Sequence, residues 1–571
     1  MSLAERTRHF GGRVGRELQK PESMAQWFLA IVLGGMVIVP LFFLVMMAFG
    51  ATSLLEGIPT TFTLEAMNEA LNEPQFQQAF INTFIYVAGT LVWAHILGFT
   101  TAYTLTKMDI PHASKFHTMM FLPIFVSPLI LAMGWNFSMI EGGMYHALLR
   151  STLGITIDIN NVYGMIFVSG FYQMPYAYAF ISSGMQNIST ELEYAAQITG
   201  AGRWAILRRI TLPLIKPFVL SSMFLLLLLG FQAVSAPLIL GGPQRIYVLS
   251  TFLISLQNFF PPPYGMMASI GFIMVVVSFL LATLTGRLTG DAAQYTVVSG
   301  RGAQSTTHTP RYLKIIGASY IGGLIFFAII VPFIQLFVLG ILEGREWAIS
   351  NLTTENFVQL FRSDLATAAI QNSLLIAVVT ASISVLVTAY VAYVKSRENN
   401  LRSRLISWLA WVPIATPGVV LGIAYLWTYL WIPVGIYGTI FALMLAYLVR
   451  FLALGTRMNE SLIVQQSPTL DEQGKICGAG LVSRLRNIIF PNMKSGMISI
   501  WVILFALFMN ELSTSIFLYT SSSRVFTVTL YELWSTAQIS ALAALAITQV
   551  AITTTVISIG MWYFDIDIRV A

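Results

Sequence analysis

Charge is what this chain has least of: of 571 residues only 10% are Asp, Glu, Lys or Arg, against 56% hydrophobic. A water-soluble chain of this length would need several times more charge to cover its surface, so a soluble globular protein is excluded. Cysteine is almost absent too. The one thiol, Cys477, rules out an intramolecular disulfide and any cysteine-based metal site. Only six histidines are present, scattered along the chain, and no Gly-x-x-x-x-Gly-Lys-Ser/Thr loop occurs, since Gly474-Lys475 is followed by Ile476. The chain therefore offers no nucleotide-hydrolysing centre and no converging catalytic or metal-ligating set.

Long apolar runs are abundant. Mean hydropathy is +0.74. Twelve stretches are long enough to cross ~30 Å of hydrocarbon as helices. They lie near 26–49, 78–106, 116–140, 162–185, 217–241 and 266–286, then near 312–340, 369–394, 405–432, 437–456, 497–519 and 541–563. The first run, from Trp27 to Phe49, follows a basic segment bearing Arg6, Arg8, Arg13, Arg16 and Lys20, and exceeds the ~7–15 residues of a signal-peptide core. It is expected to be an uncleaved first span.

With the N-terminus placed inside and the spans alternating, all but five of the 31 basic residues fall on the cytoplasmic side. The exceptions are Arg150, Arg245, Arg345, Arg362 and Arg524. This bias predicts that both termini are cytoplasmic. It also accounts for a net charge of +6 without nucleic acid as a partner. The Gly/Ser/Thr-rich stretch 287–311 reads as a linker. The expected organisation is a cytoplasmic segment 1–25, a first transmembrane domain 26–286, the linker, and a second transmembrane domain 312–571. The two domains echo one another. Asn82 in FINTFIYVAGT answers Asn372 in IQNSLLIAVVT, and Pro123 and Pro128 answer Pro413 and Pro417. Each half has an even number of spans, so the two run parallel, with a pseudo-two-fold axis along the membrane normal and the pathway at their interface. The fold class is all-α integral membrane, with twelve transmembrane helices in two parallel six-helix repeats.

Between the fourth and fifth spans of each half lies a polar loop with a common skeleton. Gly200 is followed by Ile210 and Pro213, and Gly478 at the same distances by Ile488 and Pro491; both loops carry Gly-Ala-Gly, ending at Gly202 and Gly480. Thr190 with Glu193, and Thr469 with Glu472, have the spacing of a capping box. A short helix should end at each glycine, where a left-handed residue is cheap. A second short helix should follow, stopped by Pro213 or Pro491. The expected product is a helix–turn–helix knuckle, present twice, suited to docking two identical partners as coupling helices.

This skeleton resembles the loop of ABC importer permeases that reads Glu-Ala-Ala, three residues, Gly, nine residues, Ile-x-Leu-Pro. Tyr194, Ala195, Ala196, Gly200, Ile210, Leu212 and Pro213 fall on it, with Tyr194 in place of the Glu and Glu193 one residue earlier. In the second copy Glu472 holds the Glu position, Gln473 and Gly474 replace the alanines, Phe490 replaces the leucine, and Gly478, Ile488 and Pro491 remain. The fused two-half chain, with IYVLSTFLISLQNFFPPPYGMMASI, QYTVVSGRG and MNELSTSIFLYTSSSRVFTVTLYELW, resembles permeases of the ferric-iron type. The resemblance implies a chain in the bacterial inner membrane that binds no cofactor itself. It implies two copies of an ATPase subunit carrying ATP and Mg, and a periplasmic solute-binding protein. Glu193 and Glu472, with Asp471 nearby, would then face a basic residue of the ATPase. Ferric iron is the leading solute; relatives of the same architecture are thought to carry thiamine, phosphonates, sugar phosphates or polyamines. An ion-gradient-driven secondary transporter is the reading from another class, but would leave the paired loops without a role.

Polar residues within the spans are the candidates for the pathway. Asn510 and Glu511 sit in the eleventh span, Gln232 at the matching place in the fifth, and Ser235 one turn on. His95, Asn136 and Gln335 read as interhelical hydrogen bonders, and Asn82 and Asn372 as caps or packing residues.

Overall fold

The computed structural model describes residues 21–50, 61–289, 310–343, 349–432 and 435–564. Arg6 to Lys20, most of the 287–311 linker, Arg345 and residues 565–571 lie outside them. The described residues are helical apart from loops and two isolated bridges, Gly50 with Phe62 and Leu342 with Leu352.

The repeat holds element by element. Pro21–Phe49 corresponds to Arg311–Gly340, Glu65–Asn72 to Glu355–Arg362, and Pro74–Lys107 to Asp364–Arg397. Val162–Gln186 corresponds to Ile440–Arg450 with Leu452–Val464, Arg203–Phe231 to Leu481–Met509, and Tyr264–Thr289 to Ile539–Phe564. Among the described residues eight helices are continuous, long and apolar enough to span, and four bent pairs, each taken as one span, raise the number to twelve. Val162–Gln186, the fourth expected span, is 25 residues long but is not among those twelve, because buried Ser169, Gln173 and Ser182 dilute its apolar run. The pair Pro237–Gln244 and Leu249–Asn258, bent by 63°, passes in its place.

Four expected spans are corrected by their own prolines and polar residues. The run 116–140 is two pieces, Ala113–Phe125 and Pro128–Leu153, at 92°. The run 405–432 is likewise Leu401–Ala415 and Gly418–Trp431, at 113°. The residue before each proline is extended, Ser127 with ψ 125° and Thr416 with ψ 112°. The proline ring excludes the α region there. The runs 217–241 and 497–519 do not continue to their ends either. Their helices stop at Phe231 and Met509, and the chain turns at Gln232 and Asn510 into shorter re-entrant pieces.

The leading helix of each half packs on the last helix of its own half and also reaches across to the other half. Pro21–Phe49 packs on Leu401–Trp411 and Gly418–Trp431, where the Tyr425 hydroxyl donates to Met36 O at 2.7 Å. Arg311–Gly340 packs on Pro128–Met139, closely enough that a Cβ on Gly134 would meet the Pro332 carbonyl. Gln335 crosses the same boundary, its Oε1 accepting from Met144 N at 3.2 Å. Among the described residues a large buried apolar cluster runs through both halves, and a small one joins Phe125 to Val502, Ala506 and Ile557.

Candidate functional site

Two structures recur about the pseudo-dyad: an exposed knuckle at one end of each half, and a polar seam where the halves meet inside the bundle.

Each knuckle opens with Thr190–Ile198 or Pro468–Ile476. The caps are Ser189 and Ser467, whose hydroxyls accept from Glu191 N and Thr469 N at 3.3 and 3.4 Å. This corrects the expected capping boxes at Thr190 and Thr469. The acids three residues on are engaged elsewhere or exposed, so no reciprocal bond can close. Both helices end as expected, at left-handed Gly200 (φ 85°) and Gly478 (φ 78°). Ala201 N donates to Ala196 O and Gly200 N to Gln197 O, and Ala479 N to Gly474 O with Gly478 N to Lys475 O. This paired pattern satisfies the last carbonyls of the helix.

The second piece of each knuckle is not a separate helix. It is the first stretch of a continuous helix, Arg203–Phe231 or Leu481–Met509, of 29 residues each. Pro213 and Pro491 do not end it. A five-residue π-turn, Leu207–Thr211 or Leu485–Ile489, lies just ahead of each proline, with Leu212 N bonding Leu207 O and Phe490 N bonding Leu485 O. The wider turn absorbs the missing N–H and the ring that would break an α-turn. The knuckle is thereby joined end to end with a helix about 43 Å long at 1.5 Å per residue.

The two acids at equivalent positions, Glu193 and Asp471, are buried and bound within the chain. Glu193 pairs with Lys107 at 2.7 Å. Asp471 meets Arg484 at 3.0 Å and Lys475 at 3.1 Å, and the Tyr393 hydroxyl lies 3.0 Å from both its oxygens. Arg484 also reaches Glu22 of the leading helix at 3.1 Å. The expectation that Glu193 faces a partner is corrected: Glu193, and Asp471 in the second half, tie their knuckles to the foot of the bundle, as a buried carboxylate must find a cation. Of the expected acids Glu472 is exposed, with Tyr194 at the equivalent place in the first knuckle. Ala195 is exposed and Ala196 half-buried, while Gly202 and Gly480 begin the second piece in extended conformation.

What both knuckles present outward is apolar, a feature that the acid-centred reading missed. Ile198 and Trp204 are 87% and 71% exposed, and their equivalents Ile476 and Val482 are 85% and 75% exposed. They flank the Gly turn on each knuckle. Large side chains left bare in pairs, at matched positions, mark a surface made to be covered. The signal was in the sequence: a bulky apolar residue two before and four after each turn glycine.

At the other end of the long helices, Gln232 and Asn510 cross between halves. Gln232 Nε2 donates to Ile414 O at 3.0 Å, and Asn510 Nδ2 to Phe125 O at 3.3 Å. Both acceptors lie in the turn before a broken span, where the extended residue ahead of the proline breaks the helical ladder and leaves them unbonded. Each half thus satisfies a carbonyl exposed by the other half's proline. Gln549 Nε2 holds Asn510 Oδ1 at 3.0 Å. Glu511 is buried, its Oε1 accepting from Thr514 N at 2.9 Å. Ser235 is half-buried beside the turn.

Sequence reasoning missed Arg450. The charge-side tally counts it as cytoplasmic, yet it lies inside the bundle at the 53° break between Ile440–Arg450 and Leu452–Val464. Its Nη1 donates to Gln232 Oε1 and to Thr416 O, both at 2.9 Å, and Glu511 is within electrostatic reach. The partners that hold it there are two acceptors released by prolines and turns, which no periodicity reveals.

The other polar residues sit as expected. His95 bonds Leu91 O and Ser222 Oγ, and Asn136 donates to Asn160 Oδ1. Asn82 donates to Tyr247 O, and Asn372 to Ser522 O and Arg524 O, so each pins the re-entrant segment of its own half. Among the described residues no three His, Cys, Asp or Glu side chains converge as a metal site.

Residues 96–293 match the family described as the binding-protein-dependent transport system inner membrane component. The matched region contains the first knuckle and the Gln232 turn. The chain is 23% identical over 461 residues to the ferric transport system permease protein FbpB of Actinobacillus pleuropneumoniae, covering 78% of this chain and 65% of that protein. It is 23% identical over 462 residues to the putative ferric transport system permease protein FbpB 1 of Haemophilus influenzae, covering 79% and 70%. The Fe(3+)-transport system permease protein FbpB 2 of the same organism is 20% identical over 484 residues, covering 83% of this chain and 87% of that one.

Proposed function

We propose that this chain, a multi-pass permease of the binding-protein-dependent ABC importer type, forms the whole transmembrane path of its importer and passes ferric iron inward. The observation that carries the reading is the pair of bare apolar knuckles, each continuous with a helix that ends at the seam between the halves. Two equivalent docking surfaces call for two copies of one partner. With no nucleotide-binding loop in this chain, that partner is the ATPase, carrying ATP and Mg. Ile198 with Trp204 and Ile476 with Val482 would fill its clefts, Tyr194 and Glu472 would lie at the rim, and Glu193 and Asp471 would keep each knuckle rigid from behind.

The mechanism is alternating access. A loaded binding protein docks on the periplasmic side. Closure of the ATPase pair draws the knuckles together, and the long helices carry that displacement to Gln232 and Asn510. The cross-half bonds to Ile414 and Phe125 then break and remake as the halves rock, with Arg450, Ser235 and Glu511 at the opening. Gly200, Gly202, Pro213 and their equivalents Gly478, Gly480 and Pro491 shape the joints. The basic-residue bias supports cytoplasmic termini. Ferric iron rests on the likeness to the ferric permeases over most of this chain.

The test is uptake of labelled ferric iron into proteoliposomes holding this chain, its ATPase and its binding protein. ATP-dependent accumulation, abolished by Ile198→Asp with Ile476→Asp, is the expected result. ATPase activity stimulated by the loaded binding protein without iron uptake would discard iron and keep the importer. Uptake unaffected by the double substitution would remove the docking assignment.

A further inference from the structure

At the knuckle end of the second half, a cleft of about 490 Å³ lies where Asp364–Arg397 passes into Leu401–Trp411. Its walls carry Lys395, Arg397 and Arg404 against one acid, Glu398, with Ser396 and Ser407 between them. Glu398 is occupied by Asn400 Nδ2 at 2.7 Å. Two polar groups of the wall are buried without a hydrogen-bond partner, Ser396 Oγ and Arg397 Nε. Such groups are rare in a finished structure, and both are donors. Lys395 is neutralised by Glu460 at 2.7 Å, which leaves Arg397 and Arg404 against Glu398 and the cleft net positive.

The repeat shows that this is not a by-product of the fold. The equivalent positions in the first half are Leu105 for Lys395, Met108 for Glu398 and Ser114 for Arg404. Only Lys107, opposite Arg397, keeps a cation, and it is committed to Glu193. The basic cleft belongs to one half alone.

Its surroundings identify the occupant. Leu401, Leu405 and Trp408 follow one another on one face of the helix that bears Arg404, and are 67%, 37% and 56% exposed. An apolar stripe with an indole, beside a basic cleft at the end of a spanning helix, suits acyl chains below and a headgroup above. Arg397 links the cleft to the second knuckle. Its Nη2 donates to Ile463 O at 3.2 Å and to Gln466 O at 2.7 Å, the last residues before Ser467 opens that knuckle.

We propose that this cleft binds the phosphate-bearing headgroup of an anionic phospholipid at the root of the second knuckle. The headgroup oxygens accept from Arg404 and Ser407, and the acyl chains lie along Leu401, Leu405 and Trp408. The assignment holds whatever the solute is. A lipid held there steadies Arg397 on the two carbonyls, so the second knuckle responds to lipid composition and the first does not.

The permease, assembled with its ATPase subunits, is reconstituted in bilayers of equal phosphatidylglycerol and phosphatidylcholine. It is then released into mild detergent and weighed by native mass spectrometry. Retained lipid is expected to favour phosphatidylglycerol by about fivefold, the factor one basic residue is worth at an anionic surface. Arg404→Gln and, separately, Ser407→Glu should return the retained lipid to the bulk ratio. Their melting in pure phosphatidylcholine, matching the wild type, identifies variants that are folded. Retention at the bulk ratio in the wild type, or unchanged preference in a folded variant, would overturn the proposal. So would a gain in melting temperature from inorganic phosphate alone, in phosphatidylcholine, equal to that from phosphatidylglycerol, because the site would then take a free anion.

Discussion

Asp471 and Glu472 are adjacent, carry the same charge and do opposite things. Asp471 is buried against Arg484, itself almost fully buried. Asp471→Ala leaves that guanidinium with Glu22 as its carboxylate and should cost about 1–3 kcal/mol, the range for leaving a buried donor short of a partner. It should be seen as a lower melting temperature of the solubilised permease. Glu472→Ala, at an exposed site, should leave melting unchanged and act only on ATPase coupling. Equal melting of the two variants would show that the Asp471 network is not holding the knuckle. The turn glycines give a second contrast. Gly200→Pro or Gly478→Pro cannot take a φ near +80°. Each should uncouple ATP hydrolysis from uptake while the bundle stays assembled. ATP-driven uptake unchanged in both variants would dismiss the knuckles as the coupling elements.

At the scale of elements, the long helix that joins knuckle to seam sets the expectations. Cys477 is the chain's one thiol, exposed beside Gly478 in the second knuckle. Maleimide labelling of Cys477 should be fast in the free permease and strongly slowed once ATPase subunits bind. Gln232→Ala and Asn510→Ala each leave a cross-half carbonyl unpaired, and should cost about 1 kcal/mol apiece in unfolding by denaturing detergent. The knuckles were legible because their devices are local: a glycine, a proline, a fixed distance between them. The breaks were half-legible. Pro128 and Pro417 were noticed as a repeated pair, yet the apolar run on both sides read as one span, since hydropathy does not register a bend. Why Pro213 and Pro491 do not terminate their helices was not legible at all. A π-turn is a backbone solution with no composition of its own.

Across the whole molecule, the two-fold plan could be read from residues that recur at matched spacing, such as Asn82 with Asn372. The departures from symmetry could not, because they lie in partners far apart in sequence. Arg450 finds Gln232 more than 200 positions earlier, and Glu22 of the leading helix finds Arg484. The first knuckle is tied by Glu193 and Lys107, the second by a network reaching the leading helix. Glu22→Ala should therefore impair ATPase stimulation through the second knuckle alone. A variant keeping only the second docking pair (Ile198→Asp) should feel the loss more than one keeping only the first (Ile476→Asp). Stimulated ATPase rates of the two combinations check this, and equal losses would refute it.

The reach of the leading helices across the halves bears on how the protein is made. Pro21–Phe49 also rests on Leu401–Trp431, which leaves the ribosome more than 350 residues after it. Until then this helix can lie against Tyr264–Thr289 of its own half, with its other face still in lipid. The first half cannot mature ahead of the second, and a chain truncated between them would be left with an open flank for quality-control proteases to find.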